Sequence, residues 1–267
     1  MRAFLLLACL LSLELAAAPD KLVGAAAAAP AVVVLHDITG PMKTNAYLLY
    51  DRATRDAALI DVGGPIDALL AVIEQRGLQV RYLLTTHAHV DHVQGLPAVR
   101  ARFPRAQWCV SRLEFEATAF YAQWEQVMAP EEAARIKAGM AADAALAETM
   151  SFDFARLGQP DVFVEDGQTF PLGGLTLRVI ASPGHSGGSV CYSTAGILFS
   201  GDVLFHRRIG RWDLPKAGGR AVLETSVRRL YQQLPDETIV HPGHGPSTEI
   251  GIEKTQNQQV KLARAKT

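Results

Sequence analysis

Cysteine is scarce: Cys9, Cys109 and Cys191 are the only three in 267 residues, and no two form a Cys-x-x-Cys pair. At most one disulfide can join Cys109 to Cys191, and two buried free thiols are expected. An excess of either charge is also missing, with 26 basic against 27 acidic side chains and no long basic run. Nothing therefore supplies the electrostatic footprint of a nucleic-acid or anionic-membrane partner, and a small molecule fits better. No segment reaches the roughly 18 apolar residues of a membrane span, and no repeat recurs at a period of about 20 to 50 residues. What the chain has is 49% hydrophobic and 20% charged residues, which excludes disordered and fibrous classes and suffices for one sizeable core.

Arg2, the apolar stretch 3–13 and the small residues Ala16-Ala17-Ala18 follow the order of an export signal. Residues 1–30 are expected to be a signal peptide or leader outside the fold, with one domain over 31–267 and a periplasmic or secreted protein. A leader that is not a signal would leave it cytoplasmic. β-Branched and apolar runs at 32–35, 46–50 and 57–62 predict an opening antiparallel meander. Pro65, then Ile66, Leu69, Leu70 and Ile73 at helical spacing, with Gly77 beyond them, mark a helix, and a strand over 78–85 follows. An Ala-, Glu- and Met-rich stretch from 113 to 156 predicts a helical insert acting as a lid or flap. Strands resume at 161–164, 175–181, 189–193 and 197–200; a helix over 220–234 carries Leu223, Val227, Leu230 and Leu234 on one face, and 238–241 is the last strand. Helices after each half of a largely antiparallel set predict an α/β fold of two sheets packed face to face with helices outside.

The informative run is Thr85-Thr86-His87-Ala88-His89-Val90-Asp91-His92, at the exit of the strand over 78–85. Four potential metal ligands fall within six residues; on a continuous helix they would scatter around the axis, whereas on a tight loop they can converge on one cavity. Further candidates follow strand ends: His185 in Ser182-Pro183-Gly184-His185, Asp202 in Ser200-Gly201-Asp202, and His244 in Pro242-Gly243-His244-Gly245-Pro246. Glycine and proline force sharp turns there, which aim a side chain across the sheet edge. Any one of these histidines alone reads as a core or surface residue. Five of the eight in such loops, joined by two aspartates, read as a metal site. Imidazole and carboxylate without thiolate suit zinc, iron or manganese. His36, His206 and His241 lack such company and are expected on the surface or behind the site.

The run His87-x-His89-x-Asp91-His92 resembles the signature of the metallo-β-lactamase superfamily, and His185, Asp202 and His244 match its remaining ligand motifs in order. Gly201-Asp202-Val203-Leu204-Phe205, Ile209-Gly210-Arg211, Asp213-Leu214-Pro215 and Pro242-Gly243-His244-Gly245-Pro246-Ser247-Thr248 resemble the hydroxyacylglutathione hydrolase (glyoxalase II) branch. The resemblance implies a four-layered αββα sandwich and a site for two divalent cations. His87, His89 and His185 would hold one, Asp91, His92 and His244 the other, with Asp202 bridging; zinc is the first expectation, and iron or manganese is compatible. It further implies hydrolysis of a small thioester or ester by water activated between the cations, with Asp91 as the catalytic residue that orients it. Asp61, in Ile60-Asp61-Val62-Gly63-Gly64, resembles the family's aspartate that buttresses the ligand loop; a turn-forming aspartate is the alternative. The chain departs from the branch at Ser186 and Trp212, where threonine is usual. Its 23 residues after His244 are fewer than the helical domain with which glyoxalase II enzymes hold glutathione.

Two other reactions fit the same motifs. A mononuclear iron persulfide dioxygenase of the superfamily keeps two histidines and one aspartate, which here would be His87, His185 and Asp202. Arg207-Arg208-Ile209 and Trp212 depart from that branch's Gly-Cys-Gly-Arg-Thr-Asp stretch. A periplasmic β-lactamase is opposed by Asp202, because lactamases of this fold mostly lack a bridging carboxylate there. A scaffold that binds metal without activity is disfavoured by the intact ligand set. In the insert, Phe115, Phe120, Tyr121, Trp124 and Met128 give one apolar helical face, read first as core packing and otherwise as a wall for an apolar acyl group. Arg207, Arg208 and Arg211 are surface arginines unless they grip a substrate carboxylate.

Overall fold

The structure is a computed structural model and describes residues 31–260; the leader expected over 1–30 lies outside the described residues. The first half comprises β1 (Val32–Thr39), β2 (Thr44–Asp51), β3 (Asp56–Ile60), α1 (Asp67–Arg76), β4 (Gln79–Leu84), the short α2 (Val90–Val93), α3 (Leu96–Arg102) and β5 (Gln107–Ser111). The insert contributes α4 (Arg112–Tyr121), α5 (Trp124–Val127), α6 (Pro130–Ala142), α7 (Ala144–Met150) and a 3-10 turn at Phe154–Leu157 before β6 (Val162–Val164). The second half supplies β7 (Thr169–Leu172), β8 (Leu175–Ala181), β9 (Val190–Thr194), β10 (Ile197–Gly201), β11 (Leu204–Phe205), β12 (Arg208–Ile209), α8 (Arg220–Gln233), β13 (Ile239–Pro242), β14 (Thr248–Glu249) and α9 (Ile250–Gln256). One sheet runs β1-β2-β3-β4-β5-β6 and the other β14-β13-β10-β9-β8-β7, while β11 and β12 form a separate ribbon.

Side chains alternate between two apolar layers along the strands, as the pleat requires. All eight residues of β2 are buried. Ala46, Leu48 and Tyr50 cluster with Leu69 and Ile73 of α1 and Leu96 of α3, whereas Tyr47 and Leu49 cluster with Leu177, Val179, Tyr192 and Phe199 of the other sheet. A third layer joins Cys191, Leu198 and Val240 to Leu223, Val227 and Leu230 of α8 and Ile250 of α9. Three apolar layers separating helix, sheet, sheet and helix make the αββα sandwich expected from the sequence. Gly77 ends α1 at φ 59, where a left-handed residue is needed and a β carbon would be strained.

One expectation is qualified and another corrected. The strands as a set are largely antiparallel, as expected, but the first sheet departs from this, because β3, β4, β5 and β6 pair in parallel; α1, α2 with α3, and the insert are the crossovers that parallel neighbours require. The strand over 238–241 is not the last, since β14 pairs antiparallel with β13. Cys109 and Cys191 are buried free thiols, pushed up to about 12 by burial and hence inert as nucleophiles near neutral pH. Among the described residues no helix is long and apolar enough to cross a membrane.

Candidate metal centre

The site is assembled where strands end. Asp61 follows β3 with φ 53, a left-handed conformation that aspartate tolerates better than most residues. Its N–H donates to the Leu84 carbonyl at 3.0 Å, which carries the β3–β4 pairing into the loop. Its carboxylate accepts from the Thr86 N–H at 2.8 Å, the Thr86 hydroxyl at 2.6 Å and His92 Nδ1 at 3.0 Å. Both readings of Asp61 hold, for it makes the turn and buttresses the loop. With Nδ1 fixed there, His92 turns Nε2 toward the cavity.

The ligand atoms of His87, His89 and His185 lie within 4.8 Å of one another, as do those of Asp91, His92 and His244. His185 donates from Nδ1 to the Arg211 carbonyl at 2.8 Å and sets Nε2 3.0 Å from His89 Nδ1. His244 donates from Nδ1 to the Lys43 carbonyl at 3.2 Å and sets Nε2 3.3 Å from Asp91 Oδ2. That same Asp91 oxygen accepts the Thr44 hydroxyl at 2.6 Å. Asp202 stands between the two triads: Oδ1 is 3.5 Å from His92 Nε2, and Oδ2 is 3.6 Å from His185 Nε2 and 3.5 Å from His244 Nε2. All seven residues singled out in the sequence therefore meet. A third grouping of Asp61, His87 and His92 is engaged otherwise, because the Asp61 carboxylate already accepts from Thr86 and His92. His241 lies outside the clusters, bonded to Ser247 Oγ at 2.8 Å and stacked on Phe199.

Three atoms at this junction, His87 Nε2, His92 Nε2 and Asp202 Oδ1, are buried without a hydrogen-bond partner. Converging orphan donor atoms of this chemistry are what cations would satisfy, so the two clusters are capable of holding two metal ions. Burial, reinforced by neighbouring imidazoles, pushes His87 well below its ordinary range and His89 down to about 3. His92 and His244 go the other way: burial opposes their charge, but the surrounding aspartates outweigh it and raise them to about 9 and about 11. Burial likewise favours the neutral acids, yet His92 and His244 hold Asp91 far below the carboxylate range and Asp202 at about 2.

Because His92 and His244 keep protons that a cation must displace, metal affinity is expected to rise with pH as these raised values are approached from below. Calorimetric zinc titration of metal-free protein should show proton release, and tighter binding at about pH 8 than at about pH 6. Binding without proton release would contradict these charge states.

Residues 39–244 match the metallo-beta-lactamase superfamily. The chain belongs to that superfamily. The hydroxyacylglutathione hydrolase GloC of Haemophilus influenzae is 29% identical over 223 residues, covering 80% of this chain and 91% of that protein. The mitochondrial persulfide dioxygenase ETHE1 of Homo sapiens is 29% identical over 243 residues, covering 87% and 78%. Among solved structures, the BLEG-1 B3 metallo-beta-lactamase superposes with a TM-score of 0.67 at 29% identity, covering 85% of this chain and 98% of that one. Equal identity to proteins named for three different reactions leaves the choice of reaction to the site.

One residue that shapes this superfamily member's site went unread in the sequence. Ser111-Arg112-Leu113-Glu114 has the Ser-x-x-Glu spacing of a capping box, and the Ser111 hydroxyl does cap α4, accepting the Glu114 N–H at 3.3 Å. The buried Glu114 side chain does not return to Ser111. It accepts the Ala88 N–H through Oε2 and the Gly188 N–H through Oε1, each at 2.8 Å, while Ser111 Oγ donates to the Gly188 carbonyl at 2.7 Å. One carboxylate thus ties the loop bearing His87 and His89 to the loop bearing His185. Glu114→Ala leaves two buried N–H groups unpaired and should lower stability by about 2–4 kcal/mol, with loss of bound metal. A lowered Tm with full metal content would make Glu114 a structural staple only.

The insert's apolar face is divided. Phe115 packs on Trp108 and Phe163, with ring centroids 6.0 and 5.8 Å away, whereas Phe120, Tyr121, Trp124 and Met128 line a cavity of about 270 Å³ beside His89 and Asp91. The three arginines form no joint carboxylate clamp. Arg207 is exposed, Arg208 lies over the Phe205 ring, and Arg211 is engaged by Glu132 at 2.5 Å and Asp213 at 2.9 Å.

Proposed function

We propose that this superfamily member is a dinuclear metal-dependent hydrolase of small thioesters or related esters, similar in reaction to the hydroxyacylglutathione hydrolases. The observation that supports it most is Asp202, whose two oxygens face members of both triads; a carboxylate so placed suits two cations at once. In this reading His87, His89 and His185 hold one divalent cation and Asp91, His92 and His244 the other, with zinc, iron or manganese matching the donors. Such a pair supplies a lowered pKa for water and polarisation of a carbonyl oxygen.

The chain's own residues supply orientation. Asp91, kept ionised and fixed through Oδ2 by Thr44, accepts the hydrogen bond that aligns the attacking water. The Asp61 carboxylate and the Arg211 and Lys43 carbonyls hold the rings of His92, His185 and His244 through Nδ1, so that each turns Nε2 to the cation it would hold. The apolar cavity beside Asp91 limits the water that reaches a bound acyl group.

The test is hydrolysis of S-lactoylglutathione, an acetyl thioester and an aryl ester by metal-loaded protein, with loss on chelation and recovery on metal return. Oxygen uptake on glutathione persulfide without any hydrolysis would replace this reading with the iron dioxygenase, through His87, His185 and Asp202.

A further inference from the structure

The 270 Å³ cavity touches the metal cluster only at His89 and Asp91. Beyond Met42 and Val90, its remaining wall comes from the insert and the segment after β12, and includes Phe120, Tyr121, Trp124, Met128, Ile136 and Phe152. Trp124 Nε1 is taken up by the protein, donating to the Met150 carbonyl at 3.0 Å, and the Tyr121 hydroxyl is buried without a hydrogen-bond partner. Apart from Asp91 and His89, the titratable side chains on the lining are Tyr121, Glu132 and Arg211. Arg211 gives two guanidinium contacts to Glu132, at 2.5 and 3.4 Å, and two to Asp213, at 2.9 and 3.1 Å. Its charge is thus matched twice over. Lys216 sits over the Phe120 ring at 4.7 Å and is not among the lining residues.

We propose that this cavity is an acyl pocket that selects uncharged, apolar acyl groups, of about six to eight carbons or carrying a phenyl ring, and disfavours anionic ones. The inference rests on the hydrolase reading for the reaction, and on the lining for the ligand class. A carrier thiol would bring several amide, carboxylate or phosphate groups, more than the Tyr121 hydroxyl could satisfy, and burying the rest unpaired is unfavourable. The acyl half has no such requirement. A cavity of about 150 Å³ holds benzene, so 270 Å³ accommodates a ring with a short chain. An added carboxylate would meet Glu132 and an arginine already neutralised.

The experiment compares thioesters of the neutral thiol N-acetylcysteamine carrying acetyl, butanoyl, hexanoyl, 4-phenylbutanoyl and the anionic succinyl group on the metal-loaded full chain. Each buried methylene is worth about three- to fourfold, so hexanoyl should exceed acetyl by at least about 30-fold in kcat/KM, and succinyl should fall below butanoyl. Ile136→Trp, which fills the cavity, should reduce the hexanoyl-to-acetyl ratio at least about tenfold. If Ile136→Trp fails to fold, Met128→Ala serves instead and should shift the preference to longer chains. Calorimetric binding of 4-phenylbutan-1-ol provides a readout independent of turnover, expected for the parent chain and lost in Ile136→Trp. Thioester hydrolysis indifferent to chain length would overturn the acyl pocket and leave the hydrolase standing. Failure to cleave any thioester would count against the hydrolase, and the alcohol titration would then decide the pocket: binding supports an apolar ligand, and no binding overturns it.

Discussion

Replacing Asp202 with alanine is expected to lower kcat/KM by on the order of 10³-fold and to reduce bound metal from two per chain to one or none. The reason is geometric. Asp202 is the carboxylate that comes within 3.6 Å of His92, His185 and His244 together, so its loss removes the negative charge shared by both triads. It also leaves protonated His92 and His244 with fewer anionic neighbours in the metal-free chain, a change expected to destabilise that form by roughly 3 kcal/mol. Asp202→Asn separates the contributions, since it keeps the shape and removes the charge. An asparagine variant with two metals and full activity would show that no bridging anion is needed.

Asp61 carries the second large effect, through atoms that never touch substrate. Asp61→Ala deprives the Thr86 N–H, the Thr86 hydroxyl and His92 Nδ1 of their common acceptor, and puts a residue with no local hydrogen bond at φ 53. Metal affinity should fall roughly 10- to 100-fold, and stability by about 3 kcal/mol from the unpaired buried groups and backbone strain. Asp61→Asn should behave differently. Asparagine tolerates the left-handed turn but offers one acceptor oxygen where three donors converge, so metal affinity should fall while Tm drops less than in Asp61→Ala. Metal titration alongside thermal melting distinguishes the two variants; equal losses of Tm would mean that the turn contributes nothing separate from the buttress.

The ligands were legible because each sits in a short loop at a strand exit, where local Gly and Pro chemistry and donor type are visible together. Glu114 was not, although its Ser-x-x-Glu spacing was present: that spacing names a partner three residues away, whereas the carboxylate acts on backbone 26 and 74 residues distant. Asp61 stayed ambiguous because a turn aspartate and a buttressing aspartate share one sequence context, and only the fold brings Thr86 and His92 to its oxygens. β5 is a five-residue run around the wholly buried Trp108, too short for periodicity to register. Its parallel pairing depends on crossovers that no local pattern announces. In the insert, helical spacing identified an apolar face but not what each residue meets, so Phe115 went to the core while Phe120 and Trp124 went to the cavity. Arg211 looked available beside Asp213 because Glu132 lies 79 residues earlier.

Whether two triads joined by Asp202 hold two cations is read from the metal-to-chain ratio on stepwise titration of metal-free protein with zinc and with iron(II). Two equivalents per chain are expected, falling to one when His92 and His244 are replaced together and His87, His89 and His185 are left intact. Saturation at a single equivalent, unchanged by replacing His92 and His244, would contradict the dinuclear centre.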